Sequence, residues 1–177
     1  MIVAGGGGYV DGGIIGGPPA PGRPSRLCLS GEGAAEVAGL FGGTPVEPVV
    51  LTGDPTAASA LEMCYAAWTK GATALLLGAR ALARAEGVEA ELLGEWERSM
   101  PELPERCLAA ARQAATKGWR WVGEMEQLAA TFNAGGLPDG FAVAAAELYA
   151  RPDRVPDALA DSDTLEAVLA ALTGSGR

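Results

Sequence analysis

A chain of 177 residues with a formal net charge of −9 and a pI of about 4.5 has the length of one ordinary domain and no surplus of lysine and arginine. Nucleic acid and anionic membrane surfaces are therefore not expected partners. There is no histidine, which excludes Ser-His-Asp and Cys-His nucleophile systems and the usual His-bearing zinc sites, so no metal is expected and proton transfer falls to Asp, Glu, Tyr, Lys or Cys.

Hydrophobic residues make up 49% of the chain but aromatics only 6%, and much of the remainder is alanine, which favours closely packed helices over a bulky core. Cys28, Cys64 and Cys107 stand far apart with no CxxC pair, as suits isolated thiols in a reducing compartment. The opening MIVAGGGGYV lacks the basic and long apolar regions of a signal peptide, and a cytoplasmic location is expected.

Residues 1–53 are rich in Gly and Pro and carry three short strand-like runs: Tyr9 to Asp11 with Ile14 and Ile15 following, Arg26 to Ser30, and Val46 to Leu51. Between the last two, Ala34 to Phe41 has room for about two helical turns, closed by Gly42 and Gly43. From Asp54 the texture changes. Leu61, Cys64, Trp68, Ala72, Leu75, Ala79 and Leu82 recur at steps of three and four, which predicts a helix. Asp54 with Pro55 supplies a start signal and Gly87 a stop, giving about 32 residues or roughly 48 Å, a spine for other helices to wrap. Shorter helices follow at Glu89 to Arg98, at Glu105 to Phe132 with a weak point near Gly118, at Asp139 to Arg151 and at Ser162 to Leu172. The expected fold class is thus mainly α, with a small N-terminal β-rich lobe. Domains are expected at 1–53 and 54–177.

The start MIVAGGGG looks like a first Rossmann strand entering a glycine turn, but that turn must open directly into a helix, and YVDGGIIGG reads instead as strand and loop. The segments YVDGGIIGGPP, RLCLSGEGAAEVAGLF, ALEMCYAAWTKGATALLL and KGWRWVGEMEQLAATFNAGGLPDGF resemble, in that order, the C-terminal half of phosphogluconate-dehydrogenase-like proteins of the β-hydroxyacid dehydrogenase superfamily, to which imine reductases belong. The resemblance covers roughly residues 9–151. It implies that a nucleotide-binding domain is missing from this chain, and that residues 1–53 are a remnant of that domain. It further implies that 54–177 form a helical dimerisation and substrate domain, interlocked in a homodimer. At the segment Asp11 to Gly17 the family carries a loop whose amides hold a substrate carboxylate or phosphate, so Asp11, Ile15, Gly16 and Gly17 become candidate substrate-binding residues.

Where the family carries a catalytic lysine in a pattern of the form ALKM, this chain reads Ala60-Leu61-Glu62-Met63, and four residues on stands Ala66 instead of asparagine. A carboxylate reverses the electrostatic preference of an ammonium that polarises a carbonyl during hydride transfer. Helical geometry puts Tyr65 and Thr69 on the stripe of Glu62, a polar line on an apolar helix. A partly dry surrounding would suit Glu62 to general acid-base work, with Tyr65 beside it; a surface or ion-paired glutamate in a decayed site is the plainer alternative. The run Trp119-Arg120-Trp121 with Glu124 and Glu126 suits either packing or a planar or cationic ligand, with Trp121 and Glu124 as binding candidates.

Together these expectations describe a cofactor-independent homodimer that uses a former dehydrogenase pocket for non-redox chemistry on a small molecule. The class is a cyclase, isomerase or lyase of specialised metabolism, including Pictet-Spengler-type closure of an iminium. The alternatives are the substrate-binding subunit of a split NADP-dependent dehydrogenase or imine reductase, and a non-catalytic binding or dimerisation module.

Overall fold

The computed structural model describes residues 8–156 and 163–174, and the chain divides into two compact units after Ala66. In the first unit, β1 (Asp11–Ile15), β2 (Ser25–Ser30) and β3 (Val46–Val50) form a sheet in the order β1-β2-β3. β1 and β2 are antiparallel, with Asp11 opposite Ser30 and Ile15 opposite Arg26, whereas β2 and β3 are parallel, with Ser25 opposite Val46. A parallel neighbour needs a crossover, and α1 (Ala34–Gly39) supplies it.

The first strand is one continuous ladder through Gly12 and Gly13, not the interrupted run expected from Tyr9 onward. The reason is close packing. A Cβ on Gly13 would lie 2.7 Å from the Ala58 carbonyl oxygen and 3.1 Å from the Glu62 Cβ, so only glycine lets the following helix rest directly on this strand. Ile15, Cys28 and Ala58 form the buried cluster there, with Val49 and Leu51 packed against it.

That helix, α2 (Ala57–Ala85), starts three residues later than the Asp54 signal suggested. Asp54 Oδ1 accepts hydrogen bonds from the Thr56 amide at 2.8 Å and the Thr56 hydroxyl at 2.6 Å, closing a local turn just before the helix. The first-turn amides are met from the sheet instead: Ala58 N–H donates to Ser30 Oγ at 3.0 Å and Ser59 N–H to Asp11 Oδ2 at 2.7 Å. α2 is a helix of 29 residues, near the expected length.

In the second unit, α3 (Glu89–Ser99), α5 (Gly140–Ala150) and α6 (Thr164–Gly174) all pack on α4 (Leu103–Ala134), at 32 residues the longest helix among the described residues. The expected weak point at Gly118 does not exist. α4 runs straight through it, because Gly118 is buried beneath Tyr149 of α5, where an added Cβ would meet Tyr149 Cδ1 at 3.4 Å. The remaining expected helices sit within a residue or two of their forecast ends, except that the forecast start of the last one, Ser162, lies outside the described residues. The end of α2 is tied in by charge: Arg80 and Arg84 both bond Glu89, and Arg84 also bonds Glu166 of α6 at 2.8 Å. Glu89 and Glu166 are accordingly held below the usual carboxylate range by these hydrogen bonds, Arg84 first in each. Among the described residues, no helix is long and apolar enough to cross a membrane.

Candidate functional site

In the first unit the candidate residues gather where β1 meets the first turns of α2. Asp11 is buried, and both carboxylate oxygens are engaged: Oδ2 accepts from the Ser59 amide, and Oδ1 from the Ser59 hydroxyl at 2.6 Å. The Ser59 hydroxyl, ahead of the opposing cost of burial, holds the Asp11 carboxyl below its ordinary value. Asp11 therefore caps α2 from the neighbouring strand. Ser30 works beside it, donating to the Pro55 carbonyl at 2.9 Å while accepting from Ala58.

This geometry makes a stability prediction. Asp11→Ala should cost about 1–2 kcal/mol, the usual worth of an N-cap acceptor or a charge-assisted hydrogen bond, read as a shift in the urea midpoint. Because the folded carboxyl titrates below its ordinary value of 3.8, its contribution is complete above that pH and disappears as pH falls through the lowered folded value. Acid titration of the wild type and the Asp11→Ala variant should thus show the two melting curves converging only at strongly acidic pH. Convergence near neutrality would contradict the capping role.

Glu62 is half-buried on α2, directly across from the bare backbone of Gly13. Tyr65, one turn on, is exposed. Ile15 is committed to the buried cluster, Gly16 follows the strand with a positive φ of 114° that favours glycine, and the Gly17 carbonyl accepts a bond from the Ser25 hydroxyl. Asp11, Ile15 and Glu62 thus share one face of β1 and the start of α2. Among them Glu62 is the titratable group whose carboxylate is not consumed by capping.

The other candidates lie in the second unit, in a different arrangement. Trp121 is only 7% exposed and meets Tyr149 edge-on, with ring centroids 5.1 Å apart at 74°. Glu124 is ion-paired with Lys70. The Lys70 ammonium also sits 5.8 Å from the centre of the Trp121 ring. Tyr149 donates its hydroxyl to the Lys70 carbonyl at 2.6 Å, and burial pushes that phenol well above its ordinary range. Thr69 is half-buried, and its carbonyl accepts from the Thr73 hydroxyl at 2.7 Å. Trp121 is thereby a core residue. Lys70 and Tyr149 escaped sequence reasoning, although a lysine in the middle of an apolar helical stripe was the available signal for the first. Among the described residues no group of three or more His, Cys, Asp or Glu is placed to hold a metal ion.

A domain family described as a domain of unknown function (DUF1932) matches residues 83–151. No curated protein matches the chain. Among solved structures, a conserved hypothetical protein from Sinorhizobium meliloti 1021 is similar at 24% identity with a TM-score of 0.76, over 98% of this chain and 59% of that one. The conserved protein MTH1747, a protein of unknown function whose structure reveals similarity with 3-hydroxyacid dehydrogenases, is similar at 23% identity with a TM-score of 0.64, over 81% of this chain and 56% of that one. The fold is shared with both. This chain spans less than two thirds of the length of either.

Proposed function

We propose that this chain is a cofactor-independent enzyme that performs non-redox acid-base chemistry on a small amine-derived molecule, as a cyclase, isomerase or lyase. The observation that carries this reading is the placement of Glu62: a half-buried glutamate whose Cβ packs against the bare backbone of Gly13, at the position where the resembled dehydrogenases carry a lysine. A carboxylate in that position favours a cationic substrate and accepts a proton. In a Pictet-Spengler-type closure, an aromatic carbon attacks the iminium carbon, and Glu62 then removes the ring proton to restore aromaticity. Tyr65 is the neighbouring proton donor or acceptor. Gly16 and Gly17, free of side chains, let a substrate approach the backbone at the end of β1. Asp11 acts indirectly by fixing the first turn of α2.

The resembled family also supports a homodimer. Trp68, Leu75 and Leu82 lie seven residues apart on α2 and are 71%, 66% and 62% exposed, an apolar seam at heptad spacing of the kind a second helix covers. Light scattering should give twice the 17.9 kDa of the single chain. A stable monomer would remove the dimer from the reading.

A second reading, the substrate-binding subunit of a split NADP-dependent dehydrogenase or imine reductase, is supported by the greater length of the two solved relatives. In a calorimetric titration NADPH should give no saturable heat with this chain, and a dissociation constant tighter than about a millimolar would overturn the cofactor-independent reading.

A further inference from the structure

We propose that the outward face of α4 is a docking surface for an acidic amphipathic segment of a partner protein, a role beyond the chemistry assigned to Glu62. The sequence carries a net charge of −9, yet no acidic residue stands between Glu105 and Glu124, while Arg106, Arg112, Lys117 and Arg120 all fall in that interval. The helix buries the opposite side, through Cys107, Ala111, Ala114, Gly118 and Trp121, so the cations are turned outward. Arg106, Arg112 and Arg120 are exposed and Lys117 is half-buried. Among the described residues none of the four is ion-paired, whereas Lys70, Arg80 and Arg84 in the same unit each hold a glutamate.

Apolar side chains accompany the charge. Leu108 is 46% exposed and Trp119 is 52% exposed, on the same edge of the outward face and roughly 16 Å apart along the axis. Arg154 stacks over the Trp119 ring at 4.5 Å and adds a fifth cation, its segment anchored by Val155 N–H donating to the Ala115 carbonyl at 3.0 Å. Tryptophan and arginine together form the kind of surface on which binding energy concentrates, and guanidinium groups pair with carboxylates in a bidentate fashion. Among the described residues, the acidic groups that flank it in sequence are Glu102 and Glu105 before it, Asp153 beside Arg154, and Glu124 and Glu126 after it; Lys70 already holds Glu124.

Charge selects the class of partner. A nucleic acid brings a dense and extended row of phosphates against a body of net charge −9, where repulsion acts over a Debye length of about 8 Å. A short acidic segment brings only as many carboxylates as the face can pair, and its apolar residues cover Leu108 and Trp119.

The test uses fluorescence anisotropy of a labelled glutamate-rich helical peptide with leucines on its acidic face, titrated with the full chain, alongside labelled oligothymidylate. The peptide should bind, more weakly as salt rises, and Arg112→Glu/Arg120→Glu should weaken it by about tenfold or more with an unchanged circular dichroism spectrum. Trp119→Ala should also weaken it. Equal affinity in the charge-reversed variant, or no peptide binding at all, would overturn the proposal. Tighter binding of oligothymidylate would overturn it in favour of a nucleic-acid surface, and a change of oligomeric state in the charge-reversed variant would reassign the face to a contact between copies.

Discussion

Glu62→Gln is expected to lower turnover of an iminium-forming substrate by roughly 10²- to 10⁴-fold, the usual worth of general acid-base catalysis, without a measurable change in melting temperature. The amide keeps the size of the side chain and can still hydrogen-bond, so its packing against Gly13 survives while its basicity is lost. The split between kcat and KM is informative. Loss of proton transfer alone lowers kcat, whereas loss of attraction for a cationic substrate raises KM. Tyr65→Phe is the companion change, and an effect smaller than that of Glu62→Gln is expected because Tyr65 is exposed. Full activity of Glu62→Gln on a substrate turned over by the wild type would remove proton transfer from this residue. The fold argument would be untouched, since the α2 cap depends on Asp11, Ser30 and Ser59.

Trp121→Ala is expected to destabilise the chain by about 3–5 kcal/mol, the cost of emptying a buried aromatic site. That is a large fraction of a typical folding free energy of about 5–15 kcal/mol. Trp121 is nearly fully buried, meets Tyr149 edge-on and carries the Lys70 ammonium near its ring face, so its removal opens a cavity and deletes a cation-π contact together. Trp121→Phe keeps an aromatic edge and should lose roughly half as much. Urea denaturation with an unchanged m-value is the measurement. A loss below about 1 kcal/mol for Trp121→Ala would show that the ring is not core and would return it to the role of a ligand wall.

Much of the fold was legible in the sequence because its elements are set by local physics. Steps of three and four through Leu61, Cys64, Trp68, Ala72, Leu75, Ala79 and Leu82 demand a helix, and Gly87 and Gly136, at positive φ of 73° and 71°, turn the chain out of α2 and α4. The missing histidine and the carboxylate at position 62 are likewise facts of composition and order. Tertiary structure decided what such patterns cannot encode, namely which distant group meets an unsatisfied donor or an open surface. Asp54 looks like the cap of α2, but Asp11, 48 positions before Ser59, takes that task because the sheet brings its carboxylate onto the helix amides. Gly118 looks like a break, but Tyr149 needs the space that a missing side chain leaves, so the helix continues. Glu124 pairs with Lys70, 54 positions away, a partner that no spacing along α4 could name.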